Sequence, residues 1–65
     1  MREHELRRAA SCFITRTINQ LADAGWGIEA NNLASDFDRA GSFLPELLMV
    51  RDDAEHLAAQ LEANK

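Results

Sequence analysis

Few residues of this 65-residue chain carry reactive side chains, and their spacing limits the chemistry they can perform. His56 follows Asp53 and Asp52 by three and four residues, so on a helix these side chains are neighbours. Such a group makes at most a weak metal site, because a specific zinc site needs three or four converging ligands. The spacing therefore predicts a solvated histidine beside carboxylates, and we expect neither a metal centre nor a cofactor.

Cys12 is the only cysteine, so it has no partner for an intramolecular disulfide. A nucleophilic cysteine needs a neighbouring base or positive charge to hold it as the thiolate. Arg8 and Arg16 lie one helical turn away on either side, but neither histidine is near in the sequence. We expect Cys12 to be a half-buried structural residue beside Phe13. The sequence contains no catalytic triad spacing, phosphate-binding loop or paired-carboxylate cleft, and we expect no enzymatic activity.

Charge is the most informative property of the chain. Eleven acidic residues against seven basic ones give a net charge of −4, and the two signs are separated. Residues 1–20 carry four arginines against two glutamates, whereas residues 21–65 carry nine acidic residues against three basic ones. Phosphate contacts need lysine and arginine, so the acidic part predicts a protein partner with a basic surface and no direct binding of nucleic acid. A helix-turn-helix DNA reader is excluded for the same reason, because residues 31–39 carry two aspartates against one arginine.

The acidic residues of the second half recur at helical spacing. Glu46 and Asp53 are seven residues apart, as are Glu55 and Glu62, so each pair repeats along one helix edge at about 10 Å. Rows of carboxylates on a rigid helix imitate the charge of duplex DNA and suit a basic groove that binds nucleic acid. The simpler interpretation is a solvated helix face. The predicted partner-binding residues are Asp36, Asp38, Glu46, Asp52, Asp53, Glu55 and Glu62.

Apolar periodicity predicts three helices that position these side chains. The first covers about residues 2–24 and ends at Gly25, and the second covers about residues 29–40 and ends at Gly41. Asn31 or Asn32 could instead cap a shorter second helix. The third begins near Phe43 or Pro45 and runs to about residue 63.

Two features of the third helix leave alternatives open. Asp52 or Asp53 with Glu55 resembles a capping box and would break the helix near Asp52, although the apolar seam continues past that point. Leu48 and Met49 lie off the seam, so they meet either the second helix or another molecule.

The predicted fold class is all-α, a compact three-helix bundle that forms one small domain over residues 1–65. Trp26 is expected to plug the core, with a partner-facing role as the alternative. The residues that we expect to be largely buried are Phe13, Leu21, Trp26, Leu33, Phe37, Leu47, Val50, Leu57 and Leu61.

Apolar runs are short throughout the chain. The longest, residues 47–50, is far below the ~20 residues of a membrane span, and residues 1–5 do not resemble a signal peptide. These features predict a soluble cytoplasmic protein without membrane contact. We expect a monomer or a weak homodimer. A regulatory, adaptor or antitoxin module that associates through Leu47, Leu48, Met49 and Val50 is the alternative to an acidic inhibitor.

In size, acidity and predicted helical content, the chain resembles the small phage-encoded inhibitors known as anti-CRISPR proteins. The resemblance covers the character of the whole chain and involves no shared motif, so no residue role is transferred by it. Several of these inhibitors bind type I CRISPR surveillance complexes and keep target DNA out. The resemblance implies that the partner is such a complex in the cytoplasm of a host cell, and that the acidic surface mimics DNA.

Overall fold

A computed structural model describes residues 2–64 of the chain. It contains three helices, α1 (Glu3–Asp23), α2 (Gly27–Ala40) and α3 (Leu44–Ala63), and no strand within the described residues. Each helix packs against the other two. The prediction of an all-α three-helix bundle is confirmed.

α1 has the predicted extent to within one residue at each end. Glu3 and Glu5 in its first turn stabilise the positive end of the helix dipole. At the other end Gly25 adopts a φ of +85° and donates its N–H to the carbonyl of Ala22, while Trp26 donates to the carbonyl of Leu21. This pair of hydrogen bonds is a Schellman motif, and it confirms Gly25 as the residue that stops α1.

α2 begins two residues earlier than the predicted residue 29. The carbonyl of Trp26 accepts the N–H of Ala30 (2.9 Å), so the chain enters α2 directly from the Schellman motif. Gly27 is the first residue of the helix, where the conformational freedom of glycine costs less stability than in the helix interior. Asn31 and Asn32 lie inside the helix, and the alternative of a shorter capped helix is wrong. Gly41, with φ of +56°, ends α2 as predicted.

α3 is continuous from Leu44 to Ala63, so the predicted alternative of a break near Asp52 is wrong. Pro45 lies in the first turn, where a missing N–H is harmless. The buried residues Leu47, Val50 and Ala54 continue the apolar seam through the region of Asp52. Tertiary packing on both sides of this point holds the helix together against the local capping signal.

The core is narrower than the sequence suggested. Leu21, Leu33, Leu47 and Val50 are buried as predicted. The other five predicted core residues are only partly buried, although they pack against the core: Phe13, Trp26, Phe37, Leu57 and Leu61. In a domain this small, large side chains at the edges of the apolar stripes reach beyond the cover that the neighbouring helix provides.

Small side chains fill much of the centre of the bundle. Ala10, Ala30, Ala40 and Ala54 are buried together with Ile14. Thr17 is the buried polar residue, and its hydroxyl donates to the carbonyl of Phe13 one turn earlier (2.9 Å). These small residues let the three helices approach each other closely.

The helices run up, down and up. At one end of the bundle, Nε of Arg7 in α1 donates to the carbonyl of Ser42 in the α2–α3 turn (2.6 Å). At the other end, Gln20 and Asp23 of α1 line a cleft with Leu61 of α3. α1 and α3 are therefore parallel, and α2 is antiparallel to both. Within the described residues, no helix combines the length and the apolar character that crossing a bilayer requires.

Candidate functional site

A shallow groove runs between α2 and α3 on one side of the bundle. It consists of two adjoining clefts of about 270 and 190 Å³ that share Asp36 and Asp53. Leu33, Val50 and Leu57 contribute the apolar floor. We call this the α2–α3 groove, and its polar and exposed walls are formed by Glu29, Asn32, Asp36, Arg39, Glu46, Met49, Asp53 and His56.

Helical spacing explains why these residues share one surface. The α2 wall uses positions 29, 32, 36 and 39, and the α3 wall uses positions 46, 49, 53 and 56. Both sets step by three, four and three residues, which keeps side chains on one edge of a helix. Because the two helices are antiparallel, Glu46 faces the end of α2 and His56 faces its beginning.

The groove is strongly acidic. Four carboxylates, from Glu29, Asp36, Glu46 and Asp53, line it together with one basic residue, Arg39. Nη1 of Arg39 lies 3.8 Å from Oδ1 of Asp36, and the two side chains are 75% and 44% exposed. Such an exposed pair contributes about 1 kcal/mol or less, so Arg39 compensates only a small part of the negative potential.

Three of the seven predicted partner-binding residues come together here, namely Asp36, Glu46 and Asp53. Asp38 follows Asp36 by two residues and is therefore about 200° further around α2, away from the groove. Asp52 is exposed and is not among the residues that line the groove.

Glu55 and Glu62 do not line the α2–α3 groove. Oε1 of Glu55 lies 3.8 Å from Nε of Arg51, a buried nitrogen without a hydrogen-bond partner within the described residues. Glu62 lines the cleft that Gln20 and Asp23 of α1 also line. The predicted seven residues therefore occupy several surfaces rather than one face.

The sequence analysis missed Glu29 as a groove residue and assigned Met49 to a different surface. Glu29 precedes Asp36 by seven residues, the same interval that connects Glu46 with Asp53, so the signal was present in the sequence. Glu29 was interpreted only as the start of a helix. Met49 was recognised as an unexplained apolar residue, but its place among carboxylates depends on how α2 packs against α3.

The proposed apolar surface of residues 47–50 does not exist as one surface. Leu47 and Val50 are buried in the core, and Leu48 packs partly against it. Only Met49 is exposed, at 68%. Because consecutive helical residues point about 100° apart, four in a row cannot share one face.

Cys12 is exposed, and the expectation of a half-buried cysteine is wrong. The buried stripe of α1 includes Ala10 and Ile14, each two residues from Cys12, so the thiol points to the opposite side. Cys12 and Arg16 line the same outer surface of α1, and Arg8 lies one turn before Cys12. Arg8 and Arg16 therefore lie apart from the acidic groove, whereas Arg7 reaches the α2–α3 turn.

His56 is exposed in the groove, close to Asp53. In residues 2–64, no three histidine, cysteine or acidic side chains are grouped so as to hold a metal ion.

Comparison with protein-family models, with curated proteins and with solved structures finds no match to this chain. Any assignment of function therefore depends on the surface chemistry described above.

Proposed function

We propose that this chain is a protein–protein interaction protein that inhibits a nucleic-acid-binding complex by placing the α2–α3 groove on the basic surface that receives the nucleic acid. The observation that carries the proposal is the convergence of Glu29, Asp36, Glu46 and Asp53 on one side of the bundle. It supports a narrower interface than the seven residues predicted from the sequence.

The arrangement of the carboxylates suits DNA mimicry. Glu29 and Asp36 form one row and Glu46 and Asp53 form the other, with about 10 Å between the members of each row. Each base-pair step of DNA rises about 3.4 Å along the helix axis, so each row spans the length of about three steps. Two antiparallel rows of negative charge thus match a few phosphate positions of a duplex, and the chain replaces only part of a DNA footprint.

Rigidity adds to this match. Both groove walls are helical throughout. The two helices are held together by the apolar residues of the groove floor, Leu33, Val50 and Leu57. A surface that is already ordered loses little conformational entropy on binding, so more of the electrostatic attraction is retained as affinity.

The basic residues of α1 restrict how a partner approaches. Arg8 and Arg16 lie on the outer surface of α1, where a basic partner would be repelled. The partner therefore contacts the α2–α3 side alone. In keeping with the anti-CRISPR resemblance, we propose a type I CRISPR surveillance complex in the host cytoplasm as the partner.

A competition assay tests this function. The purified chain is incubated with a type I surveillance complex before labelled target duplex is added, and bound DNA is measured by mobility shift. We expect the chain to reduce DNA binding in proportion to its concentration and to leave free DNA unshifted. The proposal would be contradicted if DNA binding is undiminished at a saturating concentration of the chain. It would also be contradicted if the chain itself shifts free DNA.

A second candidate function is supported by the exposed apolar residues. Met49, Ile28 and Phe43 are 68%, 75% and 62% exposed. Met49 lies inside the groove, so a regulatory or adaptor module could use it as an apolar anchor. Met49→Ala should then weaken partner binding more than neutralising Asp36 does, whereas the acidic inhibitor requires the reverse order. Titration calorimetry measures the affinity of each of these two variants for the partner protein, and the order of the two affinities separates the two functions.

A further inference from the structure

A second cleft lies at the end of the bundle where α1 and α3 both terminate. Its volume is about 500 Å³, and Trp26, Leu61 and Ala58 form its apolar part. Asp23 of α1 and Glu62 of α3 contribute carboxylates to its lining. We call it the Trp26 cleft. It shares none of its lining residues with the α2–α3 groove.

The potential in the Trp26 cleft is negative for two independent reasons. The parallel helices α1 and α3 both direct the negative ends of their dipoles here, and neither has a basic residue in its last turn. The carboxylate of Asp23 adds formal charge, and among the described residues none that lines the cleft is basic. An acidic residue at a helix C-terminus lowers the stability of the helix. Asp23 therefore does not contribute to the stability of the fold through the dipole of α1.

Trp26 gives the cleft an aromatic wall. The Schellman motif holds its backbone, since its N–H donates to Leu21 (2.9 Å), and the indole packs partly against the core. Part of the ring therefore remains accessible in a fixed position. Tryptophan is the aromatic side chain that attracts cations most strongly, and arginine is its most frequent cationic partner in proteins.

The polar lining includes the side-chain amides of Gln20 and Asn64 beside the carboxylates. Nδ2 of Asn64 donates to the carbonyl of Gln60 (2.8 Å), so its Oδ1 is the part of this amide that a donor can use. A guanidinium has five N–H donors, no acceptor and a planar face that stacks on an indole. It matches the aromatic wall and the carboxylate of Asp23 at the same time.

We propose that the Trp26 cleft binds the guanidinium group of an arginine side chain presented by a protein ligand. Trp26 stacks on the guanidinium plane, and the carboxylate of Asp23 accepts its N–H groups. The inference goes beyond the proposed function, because it concerns a different surface and holds whether or not the α2–α3 groove binds a partner.

Trp26 itself reports on this binding, since it is the only tryptophan and the chain has no tyrosine. The probe is N-acetylarginine amide at constant ionic strength, and N-acetylcitrulline amide is its neutral counterpart of similar shape. We expect a saturable change of Trp26 fluorescence with millimolar affinity for the arginine probe and at least three-fold weaker binding of the citrulline probe. Equal binding of the two probes would overturn the proposal, and tighter binding of free arginine would exclude a protein side chain as its source.

Matched variants locate the site. Asp23→Asn should weaken binding of the arginine probe about two- to five-fold, the range of a solvent-exposed charge pair. Asp53→Asn in the α2–α3 groove removes the same charge elsewhere and should leave the affinity unchanged. Equal effects of the two substitutions would refute the Trp26 cleft as the site. Circular dichroism of both variants checks that the bundle is intact.

Discussion

At the scale of single residues, the exposure of Cys12 has a direct chemical consequence. The thiol lies on the outer surface of α1 with Arg16, so a reagent reaches it without unfolding of the bundle. We expect an aromatic disulfide reagent to label native protein at a rate within about three-fold of the rate in urea. Labelling more than a hundred-fold slower in the native state would place Cys12 in the core.

The two leucines Leu47 and Leu57 differ in burial, and their truncation should differ accordingly. Leu47 is completely buried, so Leu47→Ala should lower the free energy of unfolding by about 2–5 kcal/mol. Leu57 is only partly buried, and Leu57→Ala should cost about 1–2 kcal/mol. Urea unfolding followed by circular dichroism measures both. A larger loss for Leu57→Ala would contradict the observed core.

The sequence predicted the buried leucines better than the aromatic residues or the cysteine. Leu21, Leu33 and Leu47 lie at the centre of their apolar stripes, where any packing of three helices buries them. Cys12 points away from the α1 stripe. Phe13 lies to one side of the stripe, and its exposure depends on how far the neighbouring helices reach. That distance is set by small buried side chains such as Ala10 and Ala54. The periodicity of the sequence alone does not reveal how much these alanines contribute to the core.

At the scale of elements, the α1–α2 junction depends on the backbone of Gly25. Its φ of +85° is unfavourable for a residue with a Cβ atom, although no atom lies within 4 Å of the place a Cβ would occupy. Gly25→Ala should therefore destabilise the bundle by about 1–2 kcal/mol through backbone strain alone.

Gly27→Ala is the matched control for this effect. Gly27 is helical and equally free of close atoms, so alanine should be neutral or stabilise the fold by up to about 1 kcal/mol. Thermal unfolding of both variants measures the difference. Destabilisation of equal size at the two positions would contradict the Schellman geometry of the junction.

Helix ends followed from local signals where backbone geometry dominates. Gly25 and Gly41 were identified because each must adopt a positive φ, which few other residues tolerate. Packing decides where α2 starts and that α3 is continuous. Gly27 and Asp52 each carry a local signal against a helix, and packing of the core overrides both signals. The α2–α3 groove was only partly predictable for the same reason: the period of each helix is visible in the sequence, but the edge that faces a neighbour is not.

At the scale of the whole molecule, the groove carboxylates and two exposed arginines of α1 lie on different sides of a body measuring 35 × 21 × 15 Å. The groove carboxylates occupy the α2–α3 side, and Arg8 and Arg16 occupy the outer surface of α1. Such a charge distribution orients the chain as it approaches a basic partner, so that the groove arrives first.

Electrostatic steering of this kind depends on salt. The screening length falls from about 30 Å at 0.01 M to about 8 Å at 0.15 M ionic strength. The association rate with the partner should therefore fall about ten-fold or more over this range, while the dissociation rate changes less. Surface plasmon resonance at several salt concentrations measures both rates. An association rate independent of salt would favour the apolar anchor at Met49.

We propose that the α2–α3 groove, rather than net acidity, blocks nucleic-acid binding. Two triple variants, each of which removes three negative charges, separate these causes. The groove variant carries Asp36→Asn, Glu46→Gln and Asp53→Asn. The control carries Glu5→Gln, Asp38→Asn and Asp52→Asn, which are exposed residues elsewhere, and it spares Glu55 because of its contact with the buried Nε of Arg51.

The decisive measurement is the concentration of each variant that halves DNA binding by the partner complex. With about 0.5–1 kcal/mol for each contact, the groove variant should need about ten- to hundred-fold more protein than the unmodified chain. The control variant should stay within about two-fold of it. Equal loss in both variants, or full inhibition by the groove variant, would contradict the account.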